Sequence, residues 1–186
     1  MRVITGSARG CRLATLSGED TRPTTDKVKE GLFSAIQFDI EGRRALDLYA
    51  GSGQLGIEAL SRGASGCVFI DRNPEATAII KQNLQKTGLM VQAQVLTTDA
   101  LSYLDRPKDV FDLVFLDPPY AAGLLLPTLE KAVTFVRDGG IIVCESDEET
   151  FLPDKVDRFT LDRVRKYGRI CVWIYRYDTS EGECVG

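Results

Sequence analysis

Short apolar segments alternate with amphipathic segments from residue 44 onward, and this alternation constrains the fold more than any other feature of the chain. Strands are predicted for the apolar segments RALDLYA, SGCVFID, VQAQVLTTD, DLVFLD and GGIIVCE. Helices are predicted between them, two of which lie around residues 100–105 and 124–137. Segments such as LVFL and IIVC are continuously apolar, which is typical of parallel strands buried on both faces. We therefore predict an α/β fold with a mainly parallel, doubly wound sheet.

The two ends of the chain have different patterns. Residues 1–23 are predicted to form a small basic hairpin from RVIT and CRLATL, followed by a helix that begins at Thr24 or Thr25. Near the other end, DRFTLDRVR and RICVWIYR predict an antiparallel hairpin at one sheet edge. The last nine residues, 178–186, are expected to be a disordered tail.

Length and composition indicate one soluble domain. A chain of 186 residues fills a single core, which we expect to span residues 1–177, with 24–177 as the catalytic part. Hydrophobic residues make up 44% and charged residues 27%, as in ordinary globular proteins. No apolar run reaches the roughly 20 residues of a membrane span, and MRVITGSARG lacks the apolar region of a secretory signal. We expect a cytoplasmic protein without a membrane partner.

The absence of histidine excludes several kinds of chemistry. The chain has no histidine and five cysteines without a C-x-x-C pair. Ser-His and Cys-His nucleophile arrangements are therefore excluded, and neither a metal site nor a disulfide framework is predicted.

A glycine motif follows the first predicted strand. Gly51, Gly53 and Gly56 form G-x-G-x-x-G between a strand and a helix, and Asp71 ends the next strand. This spacing satisfies the dinucleotide fingerprint, so an NAD oxidoreductase stays open as an alternative. Asp47, four residues before Gly51, disfavours it because a carboxylate at this point would repel a pyrophosphate.

Four aspartates close four successive predicted strands: Asp47, Asp71, Asp99 and Asp117. We expect them to form a row along the carboxyl edge of the sheet, where open α/β sheets bind ligands. A ligand with an ammonium and a sulfonium group, S-adenosylmethionine, fits this edge better than a diphosphate. Asp71 would accept from the ribose hydroxyls, and Asp99 with the Ala100 N–H would contact adenine. The alternative for a single aspartate is a structural role, as a helix cap or a solvated loop residue.

The segment DPPY follows the fourth predicted strand. An aryl amine is a poor nucleophile, so methyl transfer requires its lone pair to be aimed at the methyl carbon. The Asp117 side chain and the Pro118 carbonyl could accept from the amine N–H groups, and Pro118 and Pro119 would hold that geometry. Tyr120 could stack on a base taken out of its helix. These four residues are the predicted catalytic group.

The order of DLYAGSG, FIDRN, TTDAL and DPPY resembles class I methyltransferases that act on exocyclic amino groups. The segments MRVITGSARG, DTRPTTDKVKEGLFSAI and ALDLYAGSGQLGIEALSRGA are similar to the RsmD family over roughly residues 1–177. Gln54 and Tyr49 depart from the usual pattern of that family. The resemblance implies a Rossmann-like fold with a seven-stranded sheet and an enzyme that methylates guanine N2 in small-subunit ribosomal RNA. It also implies a site in a ribosomal particle as substrate and a monomeric enzyme.

The predicted cofactor residues lie in or next to the strand-end motifs: Asp47, Tyr49, Ala50, Gly51, Ser52, Gly53, Asp71, Arg72, Asp99 and Ala100.

Charge is segregated along the chain, whose net charge is −4. Residues 1–31 carry six basic and four acidic side chains, 32–154 carry ten and eighteen, and 155–177 carry seven and two. If the basic ends meet in space they could bind a polyanion; the alternative is two solvated surfaces. The predicted RNA-binding residues are Arg2, Arg9, Arg12, Arg22, Arg165, Lys166 and Arg169.

Two alternative functions stay open: an adenine-N6 methyltransferase on DNA and a non-catalytic RNA-binding module.

Overall fold

A computed structural model describes residues 1–16, 26–105, 109–119 and 123–179. Within them the chain forms an eight-stranded sheet in the order β3-β2-β1-β4-β5-β8-β7-β6. The strands are β1 (Arg44–Leu48), β2 (Gly66–Asp71), β3 (Ala93–Thr97), β4 (Phe111–Leu116), β5 (Val136–Asp147), β6 (Lys155–Val156), β7 (Phe159–Tyr167) and β8 (Ile170–Tyr177). The helices are α1 (Asp26–Ala35), α2 (Gln54–Ser61), α3 (Pro74–Thr87), α4 (Ala100–Leu104) and α5 (Leu125–Ala132). The predicted α/β class and Rossmann-like architecture are confirmed.

The first five strands of the sheet are parallel, and β8, β7 and β6 are antiparallel to their neighbours. Two apolar layers cover its faces: α1, α2 and α3 contribute to one, and α4 and α5 to the other. Both faces of β1 and β4 are therefore buried, which explains why LVFL reads as a continuous apolar run.

The described sheet has one strand more than the seven predicted. The additional strand, β6, has two residues. A segment of this length is too short to show the alternation of apolar and polar residues by which a strand is predicted. The helix predicted over 124–137 ends at Ala132, and β5 begins at Val136. Between them Val133–Phe135 forms a short 3-10 helix, so the predicted helix changes to a tighter turn before the chain enters β5.

The predicted N-terminal hairpin is present but short: Arg2 and Arg12 form one antiparallel bridge, flanked by hydrogen bonds from the Val3 N–H to the Cys11 carbonyl at 2.9 Å and from the Leu13 N–H to the Met1 carbonyl at 3.2 Å. Backbone N–H groups that a longer hairpin would pair are bound by side chains of the helices instead. The Ile4 and Thr5 N–H groups donate to Glu58 on α2, and the Ala14 N–H donates to Asn83 on α3. We call residues 1–16 the N-terminal segment; it is docked on the domain rather than projecting as an arm.

Other boundaries are close to those predicted. The start predicted for α1, at Thr24 or Thr25, lies outside the described residues. In the predicted tail, the Asp178 N–H donates to the Arg158 carbonyl at 2.8 Å, whereas residues 180–186 lie outside the described part of the chain.

Candidate active site

The four strand-end aspartates form the predicted row along the carboxyl edge of the sheet. In the sheet order β3-β2-β1-β4, they follow one another as Asp99, Asp71, Asp47 and Asp117. The chain leaves β1 toward β2 and β3 and then returns to the opposite side of β1 with β4. The carboxyl ends of β1 and β4 therefore border the switch point at which open α/β sheets bind ligands.

The glycine loop, residues 49–53, joins β1 to α2 at this switch point. Gly51 and Gly53 have φ of +53° and +78°, which a side chain would strain. A Cβ at Gly51 would meet no atom within 4 Å, so there is open space over the loop. A Cβ at Gly56 would meet the Phe69 ring at 2.3 Å, so this glycine allows α2 to pack closely on β2. The loop is thus shaped to let a ligand approach its backbone.

Asp47 lies beneath the loop. It is 1% exposed, and its carboxylate accepts from the Gly56 N–H at 2.8 Å. Burial raises the pKa of Asp47 to about 8. The carboxyl is therefore mainly protonated at neutral pH, and its visible contact is with the start of α2.

Tyr49 is a non-glycine residue in the left-handed region, with φ of +62°. Such backbone strain persists only where the surrounding structure fixes it, and it clusters at functional sites. Here the Thr128 hydroxyl donates to the Leu124 carbonyl, so the Tyr49 hydroxyl donates to Thr128 at 2.7 Å. Burial raises the pKa of the Tyr49 hydroxyl. Tyr49 therefore ties the glycine loop to α5, the helix that follows the DPPY segment.

The remaining predicted cofactor residues occupy the same edge. Asp99 is the N-cap of α4 and accepts from the Ser102 N–H at 3.0 Å, so the helix-cap interpretation is correct for one of its oxygens. Ala100 begins α4 and is buried, Arg72 is exposed after β2, and Ala50 donates its N–H to the Ile70 carbonyl. Ser52 is nearly buried in the loop.

The DPPY segment leaves the carboxyl end of β4. Asp117 follows the last residue of the strand and is half-buried, Pro118 is buried and Pro119 is exposed. Tyr120 lies outside the described residues. β4 pairs with β1 up to Leu116 and Leu48, so Asp117 and the glycine loop leave neighbouring strands at the same level.

The basic ends of the chain lie on either side of α1. The Arg2 guanidinium pairs with Asp26 at 3.0 Å in the first turn of α1. On the other side, a Cβ at Gly31 would meet the Tyr167 hydroxyl at 2.0 Å, so the β7–β8 turn packs directly on the helix. The end of β7 and the turn after it carry three exposed basic residues: Arg165, Lys166 and Arg169. Both ends of the chain therefore contact α1.

Arg9 and Arg12 are exposed on the N-terminal segment, whereas Arg22 lies outside the described residues. A groove of about 480 Å³ runs between this segment and α1, lined by Arg2, Arg9 and Arg62 among others. None of the four strand-end aspartates lines this groove, so it is a surface separate from the carboxyl edge of the sheet.

The sequence interpretation missed a buried ionic group behind the N-terminal segment. The Lys29 ammonium lies 3.5 Å from Glu58, both side chains are fully buried, and Lys29 also donates to the Arg2 carbonyl at 2.5 Å. Burial lowers the pKa of Lys29. Glu58 in the apolar helix QLGIEALS was a signal that could have revealed this group.

Gln54, which departs from the family pattern, begins α2. Its Oε1 atom is buried and has no hydrogen-bond partner within the described residues.

Across the described ranges, no group of three or more Cys, Asp or Glu side chains is arranged to hold a metal ion. Likewise, the described helices are too short or too polar to cross a membrane.

Comparisons with known proteins agree along nearly the whole chain. The family model described as conserved hypothetical protein 95 matches residues 1–176. The Escherichia coli protein named ribosomal RNA small subunit methyltransferase D is 34% identical over 191 residues, 98% of this chain and 92% of that protein. YlbH of Bacillus subtilis is 44% identical over 181 residues, 95% of this chain and 98% of that protein. The solved structure of Escherichia coli yhhF superposes with a TM-score of 0.86 at 34% identity, covering 97% of this chain and 99% of that one.

The fold, with its glycine loop at the switch point and its D-P-P segment on the adjacent strand, defines a class I methyltransferase. The length of the match then gives the family. This chain belongs to the RsmD family of methyltransferases.

Proposed function

We propose that this protein transfers the methyl group of S-adenosylmethionine to the exocyclic N2 of a guanine in small-subunit ribosomal RNA. The observation that carries the proposal is the adjacency of the glycine loop and Asp117 at the switch point between β1 and β4. The names of the relatives supply the substrate class, because one of them is a ribosomal RNA small subunit methyltransferase.

The residues around the glycine loop fit S-adenosylmethionine, which would supply an electrophilic methyl group on a sulfonium. Gly51 leaves open space above the loop, and the loop backbone can approach the amino-acid end of the cofactor. Each Asp71 oxygen accepts one backbone N–H and keeps a further lone pair for a ribose hydroxyl. Asp99 and the Ala100 N–H are proposed to contact adenine.

Asp47 is assigned a supporting role in this proposal. Because its carboxyl is buried and has a pKa raised to about 8, it offers little charge to an ammonium group at neutral pH. Its contact with Gly56 holds the start of α2 and thereby the glycine loop.

Asp117 and the Pro118 carbonyl are proposed to accept hydrogen bonds from the amine of the target base. Two acceptors orient the nitrogen lone pair toward the methyl carbon and stabilise the positive charge that develops on nitrogen. The two prolines restrict the backbone, so the acceptors are in position before the base arrives. Tyr120 is proposed to stack on the base. The proton leaves to water after transfer, so a histidine is not required.

RNA is proposed to bind across α1 through the basic ends of the chain. Arg2, Arg9 and Arg12 would contact phosphates on one side, and the end of β7 and the turn after it, with Arg165, Lys166 and Arg169, on the other. Arg22 is proposed to contribute as well. Phosphate contacts of this kind position an RNA without reading its sequence. The assembled small subunit as substrate and the monomeric state of the enzyme are part of the same proposal.

Separating transfer from cofactor binding tests the proposal. Asp117→Ala should reduce transfer to small subunits from a strain lacking the gene by about 10²–10³-fold, since an oriented polar group of the transition state is lost. Calorimetry should find the affinity for S-adenosylhomocysteine within about twofold of wild type, because Asp117 does not hold the cofactor. Asp138→Ala, at an exposed aspartate away from this edge, is the matched control. Near wild-type turnover of Asp117→Ala would refute the mechanism.

A further inference from the structure

One side chain joins the N-terminal segment to the glycine loop. Asn83 on α3 is fully buried, and its Oδ1 accepts from the Ala14 N–H at 2.8 Å. Its Nδ2 donates to the Ala14 carbonyl at 3.0 Å and to the Ser52 carbonyl at 2.9 Å. Ala14 belongs to the segment that carries the arginines, and Ser52 lies between Gly51 and Gly53.

The amide group is well matched to this task. It has an acceptor oxygen and two N–H donors in one plane, and each donor is used on a different backbone carbonyl. An aspartate would lose both donors, and an apolar side chain would leave three backbone groups without this partner in a buried place. A second, weaker contact joins the same two elements, because the Ser52 hydroxyl donates to the Met1 sulfur at 3.4 Å.

The N-terminal segment is also bound to the end of α2. The Ser61 hydroxyl donates to the Thr5 carbonyl at 2.6 Å and accepts from the Ala8 N–H at 3.0 Å. A Cβ at Gly6 would meet the Ser61 carbonyl oxygen at 1.7 Å, so the turn lies directly against the end of α2. Asn83, which also binds this segment, has in addition a hydrogen bond to the glycine loop.

We propose that Asn83 is a positioning residue that couples cofactor binding at the glycine loop to the order of the N-terminal segment. This inference rests on the proposed function, in which the loop binds S-adenosylmethionine and the segment faces RNA. The coupling is reciprocal by thermodynamic linkage: a cofactor that orders the loop orders the segment, and RNA held by the segment favours the loop that binds the cofactor.

Hydrogen exchange on the wild-type protein tests the coupling without any substitution. S-adenosylhomocysteine should slow exchange of residues 50–57 and also of residues 11–16, in the latter by about fivefold. Protection that is confined to the loop, with residues 11–16 unchanged, would overturn the inference. If the wild-type protein does not bind S-adenosylhomocysteine at all, the proposed function fails instead, so the two failures are distinguishable.

Two variants separate coupling from general loosening. Asn83→Ala should bind S-adenosylhomocysteine at least about fivefold more weakly and lose the protection of residues 11–16. Ser61→Ala removes contacts to the same segment but none to the loop, so it should keep the affinity within about twofold and keep the remote protection. An equal loss of affinity in both variants, or an Asn83→Ala protein that keeps the remote protection, would contradict the assignment. Should Asn83→Ala not fold, the wild-type exchange measurement decides.

Discussion

Asp71 and Gly51 are joined across the carboxyl edge of the sheet: the Asp71 carboxylate accepts from the Gly51 N–H at 2.8 Å. The other oxygen of Asp71 accepts from the Asn73 N–H at 2.8 Å, so a single side chain fixes the glycine loop and the turn before α3. Asp71 thus fixes the loop without a ligand, and its remaining lone pairs are those proposed to accept from the cofactor.

Replacement of Asp71 should therefore weaken cofactor binding. Asp71→Ala loses the proposed hydrogen bonds from the ribose hydroxyls to the carboxylate, and hydrogen bonds to a charged group are worth about 1.5–3 kcal/mol each. We therefore expect S-adenosylhomocysteine to bind at least about tenfold more weakly in calorimetry. Asp105→Ala, at an exposed aspartate on the turn after α4, should bind normally. Equal affinities of Asp71→Ala and wild type would exclude Asp71 from the cofactor site.

Asp47 makes stability depend on pH in an unusual direction. Its pKa is raised from 3.8 to about 8 by burial, so between these values the folded state holds a proton that the unfolded state has lost. The free energy of unfolding then falls as pH rises through this window. An amide in place of the carboxyl does not titrate, so Asp47→Asn should gain stability relative to wild type between about pH 5 and pH 8 in urea unfolding. A difference in stability that is the same at both pH values would contradict the protonated state.

The buried Glu58 holds the N-terminal segment and the Lys29 ammonium at once. Glu58→Ala leaves that ammonium buried without its carboxylate and two backbone N–H groups without their acceptor. We expect a loss of about 3–5 kcal/mol in the free energy of unfolding. The exposed Glu130 on α5 offers a control, for which Glu130→Ala should change stability by less than about 0.5 kcal/mol. Similar values for the two variants would contradict the buried pairing of Glu58 with Lys29.

The Tyr167 ring occupies the space that a Cβ at Gly31, in the middle of α1, would need. Alanine has about 1 kcal/mol better helix propensity than glycine, yet Gly31→Ala should destabilise the protein by about 1–3 kcal/mol through overpacking. In a Tyr167→Leu background the same change should be neutral or stabilising. A double-mutant cycle by thermal unfolding measures this coupling, and an equal cost in both backgrounds would contradict the close approach.

The sequence predicted the parallel sheet and the row of aspartates because both depend on local patterns. The first four strands are recognisable as apolar or alternating segments, and an aspartate lies within two residues of the carboxyl end of each. Once the strands are parallel, their carboxyl ends must lie together, and the positions of Asp47, Asp71, Asp99 and Asp117 follow.

The docking of the N-terminal segment could not be predicted, because it depends on side chains that are distant in sequence. Ile4 binds Glu58, and Ala14 binds Asn83, over separations of 54 and 69 residues. An alternating pattern of residues predicts a hairpin at this place, but it does not show that helix side chains bind the backbone N–H groups. Polar residues on buried helix faces were the available signal.

Identification of the methylated nucleoside would test directly whether this protein methylates guanine N2. Small subunits from a strain lacking the gene would be incubated with this protein and S-adenosylmethionine carrying a labelled methyl group. Their RNA would then be digested and its nucleosides analysed by mass spectrometry. We expect N2-methylguanosine with wild-type protein and none with Asp117→Ala. Labelled N6-methyladenosine in its place, or binding of S-adenosylhomocysteine without any transfer to RNA, would contradict it.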